Sequence, residues 1–417
     1  MTKINFSNAQ HRFILFTILF MVGLYFSRAI LSIATALLIT NIFVSTDLKN
    51  NFKRFFKIKP AVFLTLLFFV TVLSGIHSEN IETWLGRVRI KIPYLLLPLA
   101  ICGIPKLNKR QYKGLFYAFF IISIIACIGV GTNYLLHFEQ MTERYKQGGA
   151  IKTPIIYVRF SLFVAFGIVC GAFLWLKNYV LRFQWERLFI GIGTLFLFIF
   201  LHILAVRTGI FALYNAIFIS IIYFILQKRK YVLGLTLPFL MAATLWGAYQ
   251  FIPSLHNKLN YMRWDLQQYF AGNRQNMASD YMRLLSIETG IRITKEHSWW
   301  VGVGAGDLRD EMDKIYEAEY PNIPKKLLPH NQYIFVLAST GILGLGIFIF
   351  CTFYPVFYQK NYEYPFFVCF NVITFSSFLA ETTIELQIGG SFYMIFVLVS
   401  LNYLNGQQET PSNLPTK

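Results

Sequence analysis

The chain has 417 residues, 56% of them hydrophobic and only 14% charged, with a mean hydropathy of +0.51. Repeated apolar runs of about 20 residues, the length that crosses a hydrocarbon core of about 30 Å, exclude an ordinary soluble domain. The formal net charge of +18 does not read as nucleic-acid binding, because the cations are dispersed among loops with no aromatic-basic recognition motif.

In chain order the runs fall at roughly 13–27, 29–45, 60–76, 92–104, 114–136, 155–176, 188–206, 208–226, 231–251, 333–357, 365–380 and 389–404. Backbone polar groups in lipid must be satisfied within the segment, so each run predicts a helix, about twelve spans in all. The first run lacks a small-residue cleavage site and reads as a retained helix. The run at 92–104 is short and starts beside Pro93, so it is expected to extend back through Arg87, Arg89 and Lys91 or to tilt. The expected organisation is transmembrane helices 1–9 over 1–251, a large loop over 252–332, helices 10–12 over 333–404 and a disordered polar tail over 405–417. Within the large loop, "KLNYMRWDLQQYF", "ASDYMRLLSIETGIRITKE" and "LRDEMDKIYEAEY" have helical spacing, and "WWVGVGAGDL" is turn-rich.

Basic residues orient the chain. With Lys3 and Arg12 inside, the short basic loops around Lys49–Lys59, Lys106–Lys113, Lys177–Arg187 and Lys228–Lys230 all fall inside. The large loop then lies outside, together with Arg207, Arg283, His330 and the patch Arg87, Arg89 and Lys91. Both termini are inside. Cations at outer helix ends can snorkel to phospholipid headgroups. That reading is weakest for Arg207, which is confined to a tight hairpin between two spans, a costly place for a charge. Arg207, Arg283 and His330 come with no matching acidic cluster. They suggest a site for a phosphorylated, membrane-bound substrate.

Other candidates carry competing readings. Asn331 is expected to cap the next helix ahead of contacting substrate. Gly302, Gly304 and Gly306 could cradle phosphate, but the spacing is not GxGxxG, and a tight turn re-entering the membrane surface is the better reading. Arg87, Arg89 and Lys91 either bind a donor diphosphate or anchor a helix at the headgroups. Arg159 starts a span on the outer side and could line the same cavity. Glu381 and Glu385, one turn apart, either counter the arginines, hold an acceptor sugar or form structural ion pairs. His202 reads as a hydrogen-bonded core group, and His256 and His297 as loop residues. Cys102, Cys127, Cys170, Cys351 and Cys369 all lie in apolar runs and read as packing residues, with neither a disulfide framework nor a zinc site.

Four stretches resemble the O-antigen ligase and O-antigen polymerase superfamily of bacterial inner-membrane glycosyltransferases. They are "LAVRTGIFALY", "YMRLLSIETGIRITKEHSWWVGVGAGDL", "PHNQYIFVLASTGILGLG" and "LAETTIELQIGGSFYMIF". The N-terminal half is similar only in topology and hydropathy. The resemblance implies an all-α polytopic, GT-C-like fold in the inner membrane of a Gram-negative bacterium. It also implies a metal-independent, inverting transfer with no cofactor. The donor is a glycan on undecaprenyl diphosphate, and for a ligase the acceptor is a sugar hydroxyl of the lipid A core. His330, Arg207 and Arg283 match the family's essential histidine and arginines. The partners expected are these two lipids and membrane lipid, with no nucleic acid, for a monomeric chain. O-antigen polymerase and protein O-oligosaccharyltransferase are alternatives with the same donor, and a lipid-linked sugar transporter is the non-enzymatic one.

The chemistry fits those residue types independently. An acceptor hydroxyl must lose a proton as the bond forms, which suits an imidazole titrating near neutrality. The departing diphosphate gains charge, which suits the arginine fork.

Overall fold

The computed structural model describes residues 8–44, 47–146, 149–228, 231–272, 279–323 and 325–408. Among them there is no strand. The chain is an all-α polytopic membrane protein. Its helices are α1 (Ala9–Phe26), α2 (Arg28–Phe43), α3 (Leu48–Lys57), α4 (Lys59–Leu64), α5 (Leu66–Leu73), α6 (Ile81–Cys102), α7 (Lys109–Leu136), α8 (Phe138–Lys146) and α9 (Tyr157–Leu176). They continue with α10 (Glu186–Leu204), α11 (Arg207–Lys228), α12 (Tyr231–Phe251), α13 (Pro253–Phe270), α14 (Ser279–Glu296), α15 (Leu308–Glu319), α16 (Gln332–Phe357), α17 (Pro365–Phe378) and α18 (Gln387–Gln408).

Every apolar run read from the sequence lies on a helix. Among the described residues, eight are long and apolar enough to cross a membrane, or nine if α2 and α3 form one bent span. The count of twelve therefore goes beyond what length and apolarity support. α17 has only 14 residues, and α6 carries Arg87, Arg89 and Lys91 in its first half. The α6 helix starts at Ile81, where Asn80 caps it by accepting from the Thr83 amide, and it continues through Pro93 and Pro98. The tail expectation is shortened, since α18 runs to Gln408. Lys3, Arg229, Lys230, Pro324 and residues 409–417 lie outside the described residues.

The core forms around α18 and α9. Residues 388–402 of α18 and 158–168 of α9 are buried without interruption. A seam of Phe116, Phe119, Phe166, Phe370, Phe392 and Phe396 fills the space between α7, α9, α17 and α18, with tilted or edge-on rings. Such pairs add about 0.5–1.5 kcal/mol each beyond their burial. All five cysteines are free and buried in this helical packing.

Polar contacts tie the helices together at the two ends of the bundle. At one end Asn41 donates to Ala9 O, Gln10 to Lys106 O and Asn402 to Ile101 O, at 3.0–3.1 Å. At the other, Gln387 donates to Ser32 (2.8 Å), Tyr145 to Leu204 O (3.0 Å) and Asn331 to Leu379 O (3.3 Å). The large loop, folded as α13, α14 and α15, joins this second end. There the Asp307 carboxylate accepts the amides of Glu79 and Asn80 at 2.9 and 2.7 Å.

The glycine turn ahead of α15 does more than link helices. α16 is broken at Gly341, whose φ is +64°. Residues 299–304 fill the break. Val303 and Gly304 donate to Ala338 O and Ser339 O at 3.0 Å, and the Ile342 amide donates to Trp299 O at 2.8 Å. Gly341 lies nine residues into α16, so the turn reaches about 14 Å along that helix. A Cβ on Gly341 would lie 2.3 Å from Trp300 O. Gly341→Val should therefore abolish the docking. We expect a large drop in thermal stability, combining left-handed strain of about 1–2 kcal/mol with the clash; a melting temperature within 2 °C or so of the parent would count against it.

Candidate functional site at the helix ends beside the large loop

The site is organised by one face of α14. Asp280, Arg283 and Ser286 recur at three-residue spacing, so they share a side of the helix. Asp280 and Ser286 each contact a different element, and Arg283 turns back to Asp280. The Asp280 carboxylate accepts from Arg207 Nη2 at 2.5 Å, and Arg283 Nη1 lies 3.6 Å from the same oxygen. Ser286 Oγ accepts the His330 amide at 3.1 Å. Three residues scattered over more than a hundred positions are thus held along about two turns of helix.

Local structure explains each position. α10 ends with Ala205 in the left-handed region (φ +51°), an uncommon conformation for a residue with a side chain. That turn lets α11 start at Arg207 after a single intervening residue. α11 then crosses α9 closely, since a Cβ on Gly209 would lie 2.6 Å from Ser161. The contact brings the first turn of α11 next to that of α9, which carries Arg159. The backbone amides of Asp280 and Tyr281, at the start of α14, donate to the fully buried Asp265 of α13 at 2.6 and 3.3 Å.

The expectation that the arginines lack acidic partners is therefore corrected. Asp280 is the counter-ion of both, and Asp265 stands behind it. Near them is Lys258 of α13, which donates to Gly149 O at 3.2 Å. Burial, with Arg207 and Arg283 nearby, pushes its ammonium down to about 8 despite Asp280 and Asp265. Asp280→Ala should lower thermal stability. Removing one partner of a fully buried pair costs about 3–5 kcal/mol, and less is expected here because the Arg207 and Asp280 side chains keep 22% and 12% of their surface. An unchanged melting temperature would show that the arginines hold their places without it.

A family model described as O-antigen ligase matches residues 192–349. That stretch is similar to the O-antigen ligase family. The match runs from α10 into α16 and takes in Arg207, Arg283 and His330. A search of curated proteins finds no significant match.

Outside the matched stretch, Glu381 and Arg159 add further charge to the site. His330 Nδ1 lies 3.4 Å from Glu381 Oε1, in the turn after α17. That is an ion-pair distance, and Nδ1 is buried without a well-formed hydrogen bond. Burial pushes the Glu381 carboxyl up, but His330, Arg159 and Arg283 more than offset it and hold it below its ordinary value. Arg159 is only 4% exposed, and its Nε has no hydrogen-bond partner among the described residues. Asn331 caps α16, its side chain accepting from Tyr333 and Ile334 at 3.0 and 3.1 Å, as expected.

The two glutamates do not act together. Glu385 sits in a short 3-10 turn and turns to Lys91, whose Nζ lies 2.9 Å from it and also donates to Ile384 O at 3.0 Å. Gln332 donates to Glu385 at 2.8 Å and accepts from the Ile384 amide at 3.1 Å. Lys91 is buried in this network and does not join the Arg207–Arg283 cluster. Helical geometry separates the rest of the basic patch: Arg87 is partly buried and Arg89 is exposed. His202 is hydrogen-bonded to Phe198 O and the Tyr214 hydroxyl at 2.8 and 3.1 Å, a core residue as read. His297 lies 3.4 Å from Glu311, and His256 stacks on Tyr249. Among the described residues no three His, Cys, Asp or Glu side chains are grouped to hold a metal ion.

Asp280, Ser286 and Lys258 escaped the sequence reading. Asp280 was the most findable, because it precedes Arg283 by one helical turn.

Proposed function

We propose that this chain transfers a glycan from undecaprenyl diphosphate to a sugar hydroxyl of the lipid A core, as an O-antigen ligase. The observation that carries the reading is the meeting of Arg207, Arg283 and His330 on one face of α14, with Glu381 behind the histidine. The site opens on the periplasmic side of a Gram-negative inner membrane, and both termini are cytoplasmic.

In this mechanism Glu381 accepts from Nδ1–H of His330 and orients the ring. Nε2, which has no protein partner among the described residues, takes the proton from the acceptor hydroxyl. The hydroxyl oxygen attacks the anomeric carbon from the side opposite the diphosphate, inverting it, as the bond to the phosphate oxygen breaks. Arg207 and Arg283 leave Asp280 to receive the diphosphate. Arg159 and Lys258 add positive charge. With charge supplied by guanidinium groups, the transfer runs without a divalent cation. O-antigen polymerase and protein glycosylation would use the same donor side and differ only in the acceptor.

The test is transfer in vitro by purified protein, with lipid-linked glycan, several acceptors and a chelator present. Product on a lipid A core acceptor is expected. Product only on a second lipid-linked glycan would make the chain a polymerase, and no product on any acceptor would sink the transferase reading. Topology is tested separately. Single cysteines introduced between residues 279 and 323 should react with an impermeant reagent from the outer side of intact cells. Labelling only from the inner side would reverse the whole arrangement.

A further inference from the structure

A second cationic group lies on the other side of the segment that carries His330. Arg87 of α6 faces a cleft of about 30 Å³, with its guanidinium carbon 5.2 Å above the Phe335 ring. The side chain is partly buried. Among the described residues its five N–H groups make no hydrogen bond, and no carboxylate lies within 4 Å. The nearest acid is Glu385, already held by Lys91 and Gln332. Arg309 of α15 is close enough to repel Arg87, and its own recorded contact is a backbone carbonyl, Lys326 O at 3.3 Å. Arg87 and Lys91 thus share one carboxylate.

A guanidinium in an apolar cleft whose donors meet no protein group is free to take an anion in its fork. The cleft has room for about two oxygen-sized groups, which suits phosphate oxygens. Its walls include Leu67, Val70, Val336 and Phe348, so the occupant carries apolar mass near its charge. Each acid belongs to one cluster: Glu381 answers to His330, Arg159 and Arg283, and Glu385 to Lys91 and Arg87. Between them runs the segment 330–332. One diphosphate can occupy one cluster, and a transfer between two lipids brings a second charged head to the same face.

We propose that Arg87, supported by Arg309, is a second anion site that receives a phosphate of the acceptor lipid. This rests on the transferase reading and narrows the acceptor to a phosphorylated amphiphile. It also moves Arg87 away from the donor.

The experiment has a kinetic and a binding arm. In the transfer assay, Arg87→Gln should raise the acceptor KM about tenfold, the loss of roughly one charge-assisted hydrogen bond, and leave kcat and the donor KM unchanged. Stripping the acceptor's phosphates with phosphatase should raise the KM of the parent equally and make Arg87→Gln silent. A rise in donor KM instead, or no change in either KM, overturns the proposal. In the binding arm, dodecyl phosphate is titrated by tryptophan fluorescence into an Arg207→Ala/Arg283→Ala protein, whose donor clamp is removed. Binding should survive there and weaken about tenfold when Arg87→Gln is added. Inorganic phosphate binding as tightly as dodecyl phosphate would mean a free-anion site and overturn the lipid assignment. Should Arg87→Gln fold poorly, Arg87→Lys keeps the charge and loses the fork, and it should show the same acceptor-specific effect in weaker form. Dodecyl phosphate binding without transfer to any acceptor would sink the transferase reading and leave the site standing.

Discussion

His330→Gln should transfer glycan about 10²–10⁴ times more slowly than the parent, the usual range for loss of a general base. Glutamine keeps a hydrogen-bonding side chain of similar reach but cannot carry the proton away. Donor binding should persist, because Arg207 and Arg283 are tied to Asp280 and not to the imidazole. The fold should persist as well, since the residue bonds to Ser286 through its backbone amide, which the substitution keeps. Single-turnover rates with prebound donor measure the effect directly. A wild-type rate for His330→Gln would remove the histidine from the chemistry. Loss of donor binding with His330→Ala would make it a donor ligand, and the base would then be sought at Glu381.

Arg207→Ala and Arg283→Ala should each slow the reaction by about 10²–10³, the loss expected when one preorganised donor to a developing anion is removed. The lysine substitutions are the more instructive pair. Lysine keeps the charge but loses the planar fork, so both variants should remain well below the parent. Arg207 carries a further constraint. Its hairpin allows a single residue, Val206, between the left-handed Ala205 and the helix, so a lysine cannot shift along the backbone to restore its reach. A near-normal kcat for Arg207→Ala would end the diphosphate-clamp role; full rescue by lysine would show that charge suffices without the fork.

Much of the fold could be read because lipid imposes continuous apolar runs, and each run indeed lies on a helix. The misreadings have physical causes. Three cations within about one and a half turns of α6 break the hydropathy, so the run looks short beside Pro93, whereas the helix extends back past them to Ile81. The break in α16 is invisible in "STGILGLG", since glycine is tolerated in a helix and only the docked turn shows why Gly341 turns left-handed. At the site, Arg207, Arg283 and His330 were legible from local motifs. The acidic partners were not. Asp280 reaches Arg207 only because α14 lies against the start of α11, a contact between segments 73 residues apart. Glu381 and Glu385 looked like neighbours at helical spacing. The chain leaves the helix at Phe378, and the two carboxylates part.

The break in α16 bears on how the protein is assembled. A membrane helix interrupted at Gly341 exposes carbonyl groups that lipid cannot satisfy. Their partners are the amides of Val303 and Gly304, in the turn ahead of α15. Ribosomes make that turn before α16, so its amides are waiting when the carbonyls arrive. The last helices can then settle only once the turn has docked in the break. Correct packing of the C-terminal third is thereby conditional on the folding of the part that precedes it. A chain whose turn failed to dock would be left with an open helix in the bilayer, a natural target for membrane quality control.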